Sequence, residues 1–165
     1  MKVVYPGSFD PITYGHVDII TRAVGLFGSL VVAVLDNPAK KTVFTAWERK
    51  ELVEKAIGSE KIQVDVFSGL LADYLKKIQA HVVLRGIRNT GDFENEYRYS
   101  VYNKNLSDGT ETIFLPSSPE FIYISSGIVK EAARLVYRHN LSDAAINNWV
   151  PAVCREAIKQ KFIKG

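Results

Sequence analysis

The side chains best suited to chemistry in this chain are cations, hydroxyls and one imidazole. Ser8 and His16 lie near the amino terminus, Lys40 beside Lys41, Arg85 close to Arg88, and Ser125 with Ser126 a turn before Lys130. These groups fall where short apolar runs give way to helical patterns, in strand-to-helix connections. Such groups bind anions. Arg85 and Arg88 offer permanently charged planar forks that grip phosphates. A helix opening beside His16 or Ser125 adds unpaired N–H groups and a positive dipole end. No serine triad or Cys–His pair stands out, and Asp and Glu do not cluster as ligands of a permanent metal. The inventory suits transfer at phosphorus, in which the substrate brings the nucleophile and the protein brings alignment and charge. Ordinary roles compete at each position. Thr13 can simply cap a helix that carries His16 on its surface, Lys40 and Lys41 can be a solvated pair, Glu96 a first-turn acid, and Ser125 or Ser126 an N-cap.

Strands are expected at 2–5, 30–35, 62–67, 81–84 and 111–115, where β-branched and apolar residues run together between turn signals. The first leads into Tyr5-Pro6-Gly7-Ser8-Phe9-Asp10-Pro11-Ile12-Thr13-Tyr14-Gly15-His16, a tightly bent connection. Val17, Ile20, Val24 and Phe27 then recur at near-helical spacing. Thr45-Ala46-Trp47-Glu48 reads as a capping box whose helix stops at Gly58. A short helix starts at Leu70, where core packing is the simple role for Leu71. Arg85-Gly86-Ile87-Arg88 reads as the connection after the fourth strand, and a long helix opens at Thr90-Gly91-Asp92. Its Tyr97, Tyr99 and Tyr102, interleaved with Arg98 and Lys104, favour subunit packing over RNA binding. Another helix begins at Ser125–Gly127, where Lys130 would join the hydroxyls around phosphates. A helical cap fills roughly 140–165, with Lys159, Lys161 and Lys164 at the negative pole of its last helix. The alternation predicts a single α/β domain over 1–165, a Rossmann-like doubly wound five-stranded parallel sheet. The carboxyl ends of its strands would gather Ser8, His16, Lys40, Arg85, Arg88, Ser125 and Ser126 around one crevice.

Composition is that of an ordinary globular domain, with 24% charged and 47% apolar residues in 165. A net charge of only +3 does not argue for nucleic acid by itself. The lone Cys154 has no partner for a disulfide or a thiolate metal site, which fits a reducing compartment. No signal peptide is read at the start, and no apolar run nears the roughly 20 residues that span a bilayer. A soluble cytoplasmic protein, with neither membrane nor nucleic-acid partner, is expected.

The Gly7-Ser8-Phe9-Asp10-Pro11 turn with Gly15-His16 resembles the signature of the nucleotidyltransferases, and Thr13 before Gly15-His16 resembles their phosphopantetheine adenylyltransferase branch. Pro38-Ala39-Lys40-Lys41, Leu84-Arg85-Gly86-Ile87-Arg88, Asp92-Phe93-Glu94-Asn95-Glu96 and Ile124-Ser125-Ser126-Gly127-Ile128-Val129-Lys130 are similar to that branch's other motifs, in order, over almost the whole chain. The resemblance implies adenylyl transfer from ATP to 4′-phosphopantetheine by direct in-line displacement, giving dephospho-coenzyme A and pyrophosphate. Mg²⁺ would arrive with ATP. It further implies a homohexamer and coenzyme A as a feedback ligand. By the same resemblance His16, Lys40 and Arg88 are catalytic, and Ser8, Lys40, Leu71 and Arg85 hold phosphopantetheine. Ser8, Phe9, His16, Gly86, Ile87, Arg88, Glu96, Phe121, Ile122, Tyr123, Ile124, Ser125, Ser126 and Gly127 hold ATP. Gly127 departs from the pattern, which usually has a third hydroxyl there. The alternatives are transfer to another phosphorylated acceptor such as nicotinate mononucleotide, or a nucleotide-binding module without chemistry.

Overall fold

The computed structural model describes residues 1–163; Lys164 lies outside the described residues. Strands and helices alternate as β1 (Val3–Gly7), α1 (Tyr14–Phe27), β2 (Leu30–Asp36), α2 (Ala46–Ile57), β3 (Ile62–Ser68), α3 (Leu71–Lys77), β4 (Val82–Ile87), α4 (Thr90–Leu106) and β5 (Glu111–Pro116). A 3₁₀ turn (Pro119–Phe121) then leads to α5 (Ser126–Arg138), α6 (Ala144–Trp149) and α7 (Ala152–Ile163). The strands pair in parallel in the order β3-β2-β1-β4-β5, so the expected doubly wound α/β sheet is the observed one.

Side chains of successive residues leave a strand on opposite faces, and both faces of this sheet are buried. Val3, Tyr5, Val32, Val34, Val82 and Leu84 meet Ile19 and Ile20 of α1, Leu52 and Val53 of α2, and Val129 and Ala133 of α5. Val4, Val31, Ala33 and Val83 point the other way, onto Tyr74 and Leu75 of α3. The carboxy-terminal helices are more than the expected cap. Ile146, Val150, Cys154 and Ile158 are at most 1% exposed and belong to the larger core. Among the described residues, no helix is long and apolar enough to cross a membrane.

The strand order reverses between β1 and β4, and there the sheet opens. β1 pairs with β2 as far as Gly7↔Val34 but with β4 only through Val3↔Val82 and Val4↔Val83. Pro6 faces the open side, for its carbonyl accepts from Arg85 Nη1 at 2.9 Å. Its missing N–H therefore costs no ladder hydrogen bond. β1 accordingly runs two residues beyond the expected 2–5. β4 also corrects the reading at 81–84: pairing with β5 at Arg85↔Phe114, Gly86↔Leu115 and Ile87↔Pro116 keeps these residues in the strand. A charged residue is tolerated in that strand because it borders the opening and has partners there.

A buried carboxylate ties this edge together. Asp10, with no exposed surface, accepts from the backbone N–H groups of Val43 and Phe44 at 3.0–3.1 Å and from Lys130 Nζ at 2.8 Å. Lys130 thus pairs inside the protein and does not join the hydroxyls around a phosphate, which corrects that expectation. We expect Asp10→Ala to cost about 3–5 kcal/mol in urea unfolding, because it leaves a buried ammonium uncompensated. Glu51→Ala, which breaks the exposed Lys55–Glu51 pair, should cost less than about 1 kcal/mol in the same assay.

Candidate active site

A cleft of about 330 Å³ occupies the opening between β1 and β4. Tyr5, Gly7 and Phe9 supply one wall, Arg85, Gly86 and Arg88 the second, and Thr13, His16 and Ile19 of the first helical connection lie along it. Lys40, Asp92, Glu96, Ser117, Ile124, Ser125 and Ser126 complete the lining. This is the crevice that a parallel sheet forms where its winding changes direction.

The local sequence explains why the walls keep this shape. Phe9 is held at a positive φ of 46°, and its buried ring folds back over Gly7, where a Cβ would come within 2.9 Å of Phe9 Cζ. Any larger residue at position 7 would displace that ring. The ring also meets Tyr5 and His16 edge-on, with centroids 5.5 and 5.1 Å away. Gly86 allows α1 to lie close to β4, since a Cβ there would sit 3.2 Å from Ile19 and 3.3 Å from the Tyr5 hydroxyl.

His16 occupies the third position of α1, where its ring completes the helix cap and also lines the cleft instead of lying on the surface. Thr13 caps the helix by accepting from His16 N at 3.4 Å, while the imidazole Nδ1 accepts from Thr13 N at 3.0 Å. A backbone N–H can only donate, so Nδ1 is unprotonated and the neutral ring carries its proton on Nε2. Burial, and to a lesser extent the Arg88 cation, lower the His16 pKa to about 4. At neutral pH the cleft therefore holds an uncharged hydrogen-bond donor.

The cations around it are already partnered. Arg88 makes a bidentate pair with Asp92, Nε–Oδ2 at 2.8 Å and Nη2–Oδ1 at 3.1 Å. Arg85 reaches Pro6 O across the opening, and its Nε lies 2.8 Å from Glu96 Oε2. That contact is misaligned, leaving the buried Oε2 without a hydrogen bond. Lys40 Nζ donates to Ser8 Oγ at 3.1 Å, which places Ser8 at the cleft's rim. Ser125 is the α5 N-cap, accepting from Ile128 N, and the Ser126 hydroxyl donates to Pro11 O at 2.8 Å.

The structure thus brings Phe9, His16, Lys40, Arg85, Gly86, Arg88, Glu96, Ile124, Ser125 and Ser126 together. Ile87, Phe121, Ile122 and Gly127 adjoin the cleft in sequence without lining it, and Tyr123 is 77% exposed. Leu71 packs half-buried against the α3 side of the core, away from this lining. Asp92, which holds Arg88, is a site residue that the sequence reading does not single out. Its i, i+4 spacing from Arg88 was the available signal. Among the described residues no group of three or more His, Cys, Asp and Glu is arranged to hold a metal.

The cytidylyltransferase-like family model matches residues 4–132. A phosphopantetheine adenylyltransferase from Caldanaerobacter subterraneus is 43% identical over 162 residues, spanning 98% of this chain and 97% of that one. One from Leptospira biflexa is 45% identical over 160 residues, 96% of each chain. A solved structure assigned as a nicotinate-nucleotide adenylyltransferase, from Vibrio parahaemolyticus, has the same fold, with a TM-score of 0.62, 17% identity, and coverage of 96% of this chain and 99% of that one.

The low His16 pKa has a consequence for stability. The unfolded chain takes up a proton at this residue near its ordinary 6.5, whereas the folded chain does so only near 4. Between these values the unfolded state binds more protons, so stability rises with pH across that window and is insensitive to His16 above it. The fall in urea midpoint from pH 7 to pH 5 is expected to be smaller in His16→Gln than in the parent chain.

Proposed function

The chain belongs to the cytidylyltransferase-like family and, within it, to the phosphopantetheine adenylyltransferases, and on that premise we propose that it moves the adenylyl group of ATP onto 4′-phosphopantetheine, releasing dephospho-coenzyme A and pyrophosphate. The observation that carries the reading is one cleft whose lining combines a neutral imidazole donor, His16, with Lys40, Arg85, Arg88 and the Ser125–Ser126 helix start. A phosphate oxygen of the acceptor attacks the α-phosphorus of ATP. The bond to the bridging oxygen breaks, and that oxygen leaves with pyrophosphate. No covalent enzyme intermediate is needed.

Each group has a task in that displacement. His16 Nε2–H donates to a non-bridging α-phosphate oxygen, where negative charge grows in the transition state. Its low pKa is suited to this, because a neutral donor keeps its proton and does not transfer it to the oxygen. Lys40, Ser8 and Arg85 hold the acceptor phosphate. Arg88, held in orientation by Asp92, and the N–H groups at the start of α5 hold the phosphates of ATP. Glu96, whose Oε2 lies 2.8 Å from Arg85 Nε, would accept from a ribose hydroxyl through its carboxylate. Phe9, Gly86, Ile124, Ser125 and Ser126, which line the cleft, would border the nucleotide, whereas Ile87, Phe121, Ile122, Tyr123, Gly127 and Leu71 lie outside the lining and would reach the substrates only from its margins. Mg²⁺ enters as part of the substrate MgATP. Asp92 and Glu96 already face Arg88 and Arg85, so the acidic groups of the cleft fit the support of cations better than a dedicated metal cage.

Assembly and location extend the same reading. Tyr97, Tyr99, Val101, Tyr102 and Leu106 of α4 are all 45% exposed or more and lie around a helix none of whose residues is buried, which supports self-association, with a homohexamer as the expected form and coenzyme A as a feedback ligand. The cytoplasm is the expected compartment.

Turnover followed by pyrophosphate release tests the reaction. With ATP, phosphopantetheine is expected to be the competent acceptor and nicotinate mononucleotide an incompetent one. His16→Ala should lower kcat by about 10²- to 10³-fold, while calorimetry shows ATP binding retained. Near-parental turnover in that variant would remove the imidazole from the mechanism.

A further inference from the structure

Arg49 is buried to 1% exposure in α2, outside the cleft lining, yet its guanidinium contacts three segments that build one side of the cleft. Nη1 donates to Ser8 O at 2.7 Å and to Leu35 O at 2.8 Å, and Nε donates to Phe44 O at 3.1 Å. Leu35 and Phe44 lie on either side of the segment that carries Lys40. The same cation therefore fixes both ends of the Lys40 loop and the main chain of Ser8, whose hydroxyl accepts from Lys40 Nζ. Its nearest carboxylate is the half-exposed Asp36, with Nη2–Oδ1 at 3.8 Å. The guanidinium is thus committed chiefly to carbonyl oxygens. A buried charge of this kind is costly without full hydrogen bonding, and a lysine could not reproduce the planar three-carbonyl arrangement.

We infer that Arg49 is a positioning residue for the acceptor-phosphate half of the site: it sets the spacing of Ser8 and Lys40 and touches no substrate. The ATP half relies on other anchors, namely Asp92 on Arg88 and Pro11 O on Ser126. The two halves should therefore respond differently to loss of the Arg49 fork. Small displacements of groups that align a reactant are costly in rate and binding, whereas a general loss of folding would affect both substrates together.

The inference rests on the assignment of Lys40 and Ser8 to the acceptor phosphate, so Lys40→Ala is assayed first. If the phosphopantetheine KM is unchanged in Lys40→Ala, that assignment fails and takes this inference with it. If it rises, Arg49→Lys is expected to raise the phosphopantetheine KM about 10-fold or more and to leave the ATP KM within about twofold. In the Lys40→Ala background the same change should add less than about twofold, because the effect passes through Lys40. An unchanged phosphopantetheine KM, a parallel rise for both substrates, or full additivity with Lys40→Ala would overturn the role. Should Arg49→Lys not fold, arginine-labelled NMR of the parent chain gives the decision. The Arg49 Nε–H signal is expected to shift on adding phosphopantetheine and to stay in place with ATP alone, and no shift with phosphopantetheine would overturn it.

Discussion

The site exists because two neighbouring parallel strands stop pairing. β1 and β4 share a ladder only through Val4↔Val83, while each continues to pair with its outer neighbour. A parted sheet exposes backbone groups that must find other partners. Here Arg85 supplies one by reaching from β4 to the Pro6 carbonyl, and proline at position 6 removes the need for another. The residue that bridges the gap is thus also a cation at the mouth of the cleft. Structural repair and ligand binding use the same side chain.

Charge in this cleft is arranged in advance. Arg88 sits in a bidentate pair with Asp92, Arg85 lies between Glu96 and a carbonyl, and His16 is neutral. Unpaired, two arginines and a lysine around one cavity would repel one another. Pairing the two arginines with carboxylates limits that repulsion and fixes each fork in direction, which matters when the protein contributes alignment and not a nucleophile. The tautomer of His16 is settled in the same manner, by a backbone N–H that belongs to the helix cap.

Much of this was legible in the sequence, for identifiable reasons. β-Branched runs marked the strands, Thr45 to Glu48 marked a helix start, and chain topology brought the strand-end cations to one edge. Position 16 was read as either a surface residue behind a cap or an anion donor. Thr13 does cap the helix, but His16 is not on the surface: its imidazole takes the place that glutamate usually fills in a capping box and lines the cleft. The errors share a cause. The end of β4 was drawn too early since a charged residue normally ends a buried strand, and Lys130 was drawn toward phosphates since its partner Asp10 lies 120 residues away. Arg49 was not singled out, for nothing local distinguishes a helical arginine that binds three distant carbonyls from one in solvent.

Cys154 is fully enclosed in the core, and burial raises its thiol pKa to about 12. The proposed acceptor itself ends in a thiol, which in its oxidised form exchanges readily with any accessible protein thiolate. With its one sulfhydryl on the core-facing side of α7, the folded chain offers no partner for a mixed disulfide. A disulfide form of that acceptor would therefore find no accessible thiolate on the folded chain.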